Sequence, residues 1–249
     1  MPANRSLALV LRTVEVFETS LVVTLFTREM GKISALAKGA RRLKSPFQGG
    51  LDLLGVSDIV LLPKASESLD LLTEAAPLER FACLRRDLAA LYAGYYIVEL
   101  LTDLTDHHDP HPRLFDAARI TLRHLGDPEL RTRRVLRFEL ACLRELGFMP
   151  ALDRCSQCGA PVDSEGEVAF GLATGGVLCT ACRPGQPHVN RVSRTTLETI
   201  RVLASPGREW RGLSPDPRIS GLGAARQTIG AVISHLLGHR PRIWPYLGG

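Results

Sequence analysis

Four cysteines constrain this chain more than any other residues. They fall as Cys155-x2-Cys158, twenty residues, then Cys179-x2-Cys182. Each pair is a tight turn that aims two thiolates at one point, and Gly159 lets the backbone curl after the first. A second pair at this separation closes a tetrahedron of four sulfurs, the arrangement zinc takes with cysteine. The rival is a pair of disulfides or redox-active dithiols, but no thioredoxin-like βαβ pattern surrounds either pair. The expectation is therefore one structural Zn2+ on Cys155, Cys158, Cys179 and Cys182. Four cysteinates fill every coordination position and leave none for an activated water, so the ion is a clamp rather than a catalytic centre. The segment between the hooks holds Pro161, Gly166, Gly171, Gly175 and Gly176 and is too short for a core of its own. Val168, Phe170 and Val177 are expected to form a small hairpin across the metal. Cys83 and Cys142 stand alone in apolar stretches and are expected in the core.

The remaining 200-odd residues fit a chain of one to three globular domains (249 residues, 45% hydrophobic, 23% charged). That composition excludes collagen-like, coiled-coil and disordered chains. The longest stretch without charged or strongly polar groups, Leu88 to Val98, is far short of the roughly 20 residues a bilayer span needs. No long apolar core follows Arg5 as a signal peptide would require. A cytoplasmic protein without a membrane partner is expected.

Hydrophobic periodicity divides the chain. Residues 6–76 carry β-branched and period-2 signals in five runs: Ser6–Arg12, Ser20–Thr27, Gly31–Lys38, Leu53–Leu62 and Ser68–Glu74. Five short strands without intervening helix suggest a small closed barrel such as an OB-fold. From Leu78 the period becomes helical. Leu84, Leu88, Leu91, Tyr95, Val98 and Thr102 mark one helix, Leu114–Leu125 a second, and Thr132–Leu146 a third that stops at Gly147. Beyond the cysteines, a helix from Ser193 or Arg194 to Leu203 and another through Leu222, Ile229, Ile233 and Leu236 are expected, with Arg208–Arg218 a loop. The fold class is thus α+β and multi-domain: an N-terminal OB-fold β-barrel followed by an all-α domain with an embedded four-cysteine zinc finger. The expected divisions are 1–79 for the barrel, 80–150 and 187–249 for the helices, and 151–186 for the zinc segment.

Charge points to a polyanion. Of 31 basic residues only four are lysines, which leaves 27 arginines, the side chain that grips phosphate bidentately. Between residues 28 and 44, Arg28, Lys32, Lys38, Arg41, Arg42 and Lys44 face one acid, Glu29. That local surplus equals the whole chain's +5. On an OB barrel such a loop lies beside the face that tracks a nucleic-acid backbone. The barrel region offers only Phe17, Phe26 and Phe47 as aromatics, so phosphate contact with little base preference is expected. About five engaged cations would give a log–log salt slope near −3.5 on single strands. A second candidate surface is the helix Thr132–Leu146, where Arg133, Arg137 and Arg144 fall within about 40° of one another. An ordinary solvated face is the competing reading for both regions.

His107, His108, Asp109 and His111 form a dense patch of possible ligands, but Pro110 and Pro112 break the helix that would align them. Turn and capping roles are expected there. No phosphate-binding loop, nucleophile elbow or strand-coupled dinucleotide fingerprint occurs, and no catalytic residue is assigned. Two other readings compete: a zinc-ribbon protein that binds structured RNA in ribosome or transcription machinery, and a metal-dependent hydrolase built on the histidine patch. The first predicts a preference for folded RNA, the second a further bound metal.

The run LFTREMGKISALAKGARRLKS, the helix end ELGFMP followed by ALDRCSQCG, and the later GGVLCTAC together resemble the RecO family of bacterial recombination mediators. The likeness follows the order of the whole chain. It implies an OB-fold, a helical domain with a zinc finger, and no catalysis. It also implies binding of single- and double-stranded DNA, annealing of complementary strands, and action with RecR, and often RecF. These load RecA onto DNA coated by single-strand DNA-binding protein, a nucleoid-associated role. Lys38, Arg41, Arg42 and Lys44 match the family's basic motif, and the four cysteines match its zinc ligands. The ending from Arg240 to Leu247 departs from the basic, serine-containing ending of the family.

Overall fold

The computed structural model describes residues 3–64, 69–162, 166–214, 216 and 220–247. The chain divides into two compact units, Met1–Gly126 and Asp127–Gly249. The first two long helices therefore count with the barrel, whereas the four-cysteine segment counts with the later helices.

The first unit opens with β1 (Asn4–Val16), β2 (Ser20–Thr27), β3 (Gly31–Ala37), β4 (Val56–Leu62) and β5 (Asp70–Glu79). They close a barrel in the order β1-β2-β3-β5-β4, every neighbour antiparallel except the short parallel pairing of β3 with β5. This is the OB-fold. Its core is the inward set of alternating residues, Ala8, Val10, Val23, Leu25, Ile33, Ala35, Ile59, Leu61 and Leu72 among them. Small alanines beside large aliphatics fill the narrow interior of a barrel this size.

Strand lengths depart from the sequence pattern where pairing, not burial, sets them. The first strand runs to Val16 because its far half forms a hairpin with β2, Val16 opposite Ser20, and a bulge between Val10 and Arg12 lets it turn from one partner to the next. The fourth starts at Val56 rather than Leu53, since Leu54 takes a left-handed conformation (φ 64°) that no strand tolerates. The fifth continues through Pro77, which faces Ser57 beside a bulge. Its expected start, Ser68, lies outside the described residues.

A short 3-10 turn (Ala82–Arg85) leads to α1 (Leu88–Leu104) and α2 (Pro112–Arg123). Asp87 caps the first, its carboxylate accepting from the Ala90 N–H at 3.1 Å. Pro112 opens the second, where its missing N–H is no loss. Leu84 sits in the 3-10 turn rather than in the helix its spacing suggested.

In the second unit, α3 (Pro128–Glu145) begins on Asp127, whose carboxylate accepts from Glu129 and Leu130, and ends at Gly147. The four-cysteine segment contains β6 (Glu167–Gly171) and β7 (Gly176–Leu178), and β8 (Val189–Ser193) completes a three-stranded sheet of order β7-β6-β8. Val168, Phe170 and Val177 are buried in it, as the hairpin reading required. Ser193 caps α4 (Arg194–Ala204), and α5 (Leu222–Leu237) closes at Gly238. Leu197, Ile200, Leu203, Ile229 and Ile233 are buried on their facing stripes. The stretch expected to be loop contains a 3-10 turn, Glu209–Gly212, that buries Trp210; Pro215, Pro217 and Arg218 lie outside the described residues. Among the described residues, no helix is long and apolar enough to cross a membrane.

Candidate nucleic-acid interface and metal centre

The basic run splits by environment. Arg28, in the β2–β3 turn, makes a fork to Asp116 of α2 (3.0 and 2.9 Å) and a further contact with Glu29. Those hydrogen bonds, donated to Asp116 and Glu29, raise its pKa above the usual guanidinium range. Lys32 is buried on β3, and its Nζ donates to the Thr102 and Thr105 carbonyls at the end of α1. A cation there satisfies orphan carbonyls and the negative end of the helix dipole. Burial lowers its pKa, against the opposing pull of Asp106 and Asp103. Both residues join the barrel to helices within the first unit, and neither presents a free charge.

The other four cations lie on the β3–β4 connection, and all are exposed: Lys38, Arg41, Arg42 and Lys44. Gly39 (φ 71°) starts a turn closed by the Arg42 N–H on the Gly39 carbonyl at 3.1 Å. The Arg41 N–H donates to the Thr19 carbonyl (3.0 Å) and its guanidinium meets Glu15 at 2.8 Å, which fixes the loop against the β1–β2 turn. Beyond it, Phe47 is buried in the barrel core, and Ser57 Oγ donates to the Gly50 carbonyl at 2.6 Å. The cations thus sit on a loop anchored at both ends. Among the described residues Lys38, Arg42 and Lys44 have no ion-pair partner, and the Arg41 pair is solvent-exposed on both sides and weak.

Of the three barrel aromatics, Phe26 and Phe47 are buried. Phe17 is 84% exposed at the tip of the β1–β2 turn. Its outward position was not legible from composition; the signal for it is its place, directly after a strand and before Glu18-Thr19.

On α3 the arginines face carbonyls. Arg137 Nη1 donates to Leu203 (2.6 Å) and Ser205 (2.8 Å), and Arg144 donates to Ala204, so both cap the end of α4. Arg137 also lies over the Trp210 ring, 5.0 Å from its centroid. Burial lowers its pKa, helped by Arg144 and Arg211. Arg133 is 4% exposed and donates to the Arg211 carbonyl. The stripe thus donates to carbonyls that come from a distant part of the chain.

The histidine patch forms a joint of the first unit. His108 N–H donates to the Lys32 carbonyl at 3.0 Å, and His111 Nε2 lies 2.9 Å from Asp109. Gly31 is required beside it, since a side chain there would collide with the Asp109 backbone and its φ is 71°.

The four cysteine sulfurs lie within 4.8 Å of one another, with Cys158 and Cys179 3.8 Å apart. Zinc–sulfur bonds of about 2.3 Å in a tetrahedron demand sulfurs roughly 3.8 Å apart, so the donors fit such an ion. Backbone N–H groups of Cys179 and Cys158 hold the Cys155 thiol down at about 6. The crowded thiols of Cys179 and Cys158 push Cys182 up to about 12. Arg201 reaches back from α4 to the Leu152 carbonyl and Asp153, each at 2.7 Å, and steadies the approach to the first hook. Among the described residues no other cluster has metal-binding geometry.

An OB barrel carrying an anchored cationic loop, followed by helices around a four-cysteine metal site, defines a two-part OB-fold protein with a metal-clamped module. Two family models match the chain: Recombination protein O N terminal over residues 1–81 and Recombination protein O C terminal over residues 85–243. Similar relatives carry the name DNA repair protein RecO. That of Rhodopirellula baltica is 48% identical over 200 residues, 80% of this chain and 74% of the relative. That of Anaeromyxobacter dehalogenans is 36% identical over 248 residues, 96% of each, and that of Salinibacter ruber 37% over 201 residues, 80% and 75%. The chain belongs to the RecO family.

Proposed function

We propose that this member of a DNA-repair family acts by binding and not by turnover. It grips single- and double-stranded DNA through Lys38, Arg41, Arg42 and Lys44, and it anneals complementary strands. In recombinational repair it helps load RecA onto single strands coated by single-strand DNA-binding protein. RecR and the coating protein are its direct partners, RecF and RecA are reached through them, and the work is done in the cytoplasm at the nucleoid. One Zn2+ on Cys155, Cys158, Cys179 and Cys182 supplies the missing core of residues 151–186.

The observation that carries this reading is an ordered, exposed loop of four cations on an OB barrel, three of them without an acidic partner among the described residues. Phosphates of two complementary strands repel each other, and a fixed set of guanidinium and ammonium groups lowers that repulsion while leaving base edges open to pair. Arg28, Lys32, Arg133, Arg137 and Arg144 are left out of the contact set, because their charges already hold neighbouring elements. The test is annealing of oligonucleotides coated with single-strand DNA-binding protein. The native chain should accelerate it, and Arg41→Glu with Arg42→Glu should abolish the acceleration without unfolding the barrel. Unchanged annealing by that variant contradicts the proposal.

A further inference from the structure

We infer that Phe17 is a stacking platform for one nucleobase of a bound single strand, next to the loop that holds its phosphates. The inference rests on the DNA-binding reading and deepens it.

Three observations converge on the residue. Its ring is 84% exposed, the highest exposure of any large apolar side chain among the described residues of the barrel unit apart from Leu43. Its backbone is left-handed, φ 57°, a conformation that a phenylalanine adopts only at a cost and that glycine would take freely. An exposed aromatic gains nothing from burial that would offset this, so packing does not explain it. Finally, the turn that carries it is the one to which the cationic loop is tied. The Arg41 N–H bonds to Thr19, its guanidinium reaches Glu15 and the Glu18 carbonyl, and these residues bracket Phe17 on both sides.

The β1–β2 turn of an OB barrel is one of the two loops that meet oligonucleotides. Phosphate binding by Arg41, Arg42 and Lys44 would run the sugar-phosphate chain past this turn, leaving bases free to lie on a ring beside it. Every base has a π-face, so one phenylalanine adds affinity without reading sequence. Leu43, fully exposed between Arg42 and Lys44, offers an apolar neighbour for the same unstacked bases. A strand held this way has its bases splayed from one another yet open on their pairing edges, as annealing needs.

The experiment compares a thymidine oligonucleotide with an abasic oligonucleotide of equal length and charge, by fluorescence anisotropy. The native protein should bind the thymidine strand about five-fold or more tightly than the abasic one. Phe17→Ala should bring that ratio to about one while the abasic affinity and the salt slope stay as they were. Phe17→Trp should restore it. Phe17→Gly should lose the base preference and raise the thermal midpoint, which separates stacking from damage to the turn. Phe148→Ala, which removes an exposed ring from the second unit, should leave the ratio unchanged.

A native protein without base preference overturns the inference, as does a Phe17→Ala variant that keeps it or one that weakens both strands equally. The parent reading stands apart: it survives those results if Arg41→Glu with Arg42→Glu still removes binding to both strands. It fails if the native protein binds neither strand, or if that double variant binds both as the native protein does.

Discussion

The β3–β4 loop and helix α3 are both arginine-rich, and they use the residue in opposite ways. On the loop, Arg42 and its neighbours Lys38 and Lys44 have no carboxylate within reach among the described residues, and Arg41 shares an exposed, weak pair. On the helix, Arg137 and Arg144 donate to the last carbonyls of α4 and Arg133 is buried against residue 211. Each of these side chains carries the same unit charge, but on the proposed reading the first group is the one that exchanges water for phosphate. A guanidinium that already satisfies orphan carbonyls leaves them unsatisfied if it turns to a ligand. Charge in a sequence counts as binding capacity only where the fold leaves it uncommitted.

That contrast can be tested from several sides. The largest effect should come from removing the metal. A thiolate cluster of this kind contributes on the order of 10 kcal/mol to the folding of its segment. Chelation, or Cys158→Ser, should therefore abolish cooperative melting of residues 151–186 while leaving oligonucleotide binding by the barrel loop in place. Loss of that binding together with the metal would mean the two regions are not separable.

Arg137→Ala should come next. It removes two charge-assisted hydrogen bonds and the contact with Trp210, and should destabilise the second unit by about 2–4 kcal/mol in chemical denaturation. Its DNA affinity and salt slope should not change. Arg42→Ala should do the reverse: stability within about 0.5 kcal/mol of native, and a salt slope shallower by about 0.7. If Arg137→Ala altered the slope, the division between committed and free arginines would break.

The smallest effect concerns Glu79, which ties β5 to α2 through Arg119 and Arg123. Burial alone would raise its pKa, but the hydrogen bonds from Arg123 and Arg119 outweigh that and hold it below the ordinary carboxylate value. A depressed carboxylate contributes stability above its unfolded pKa, here 4.5, and loses it as pH falls through the folded value. Glu79→Gln should cost about 1 kcal/mol at neutral pH and nothing below the folded pKa, so the two acid-unfolding curves should converge at the low end.

The elements were legible in the sequence where one face is buried. Ser20–Thr27 and Gly31–Ala37 were legible because their apolar, β-branched runs line a barrel core through Val23, Leu25, Ile33 and Ala35, and the caps Asp87, Asp127 and Ser193 are local chemistry. The four cysteines carried their site in spacing alone. Legibility failed where a partner lies far along the chain. Nothing near Arg137 announces the carbonyls of Leu203 and Ser205, and nothing near Lys32 announces the end of α1, seventy residues away. The expected salt dependence changes accordingly. About five cations read from the run become four on the loop, and the slope on single strands moves from near −3.5 to about −2.8.

A salt titration of single-strand binding therefore tests the central claim most directly. The native protein should show a log–log slope of about −2.8, and Arg41→Glu with Arg42→Glu should flatten it to about −1.4 or less, with the fold intact by circular dichroism. A native slope near zero, or a charge-reversed loop that keeps the native slope, would show that DNA is not held there.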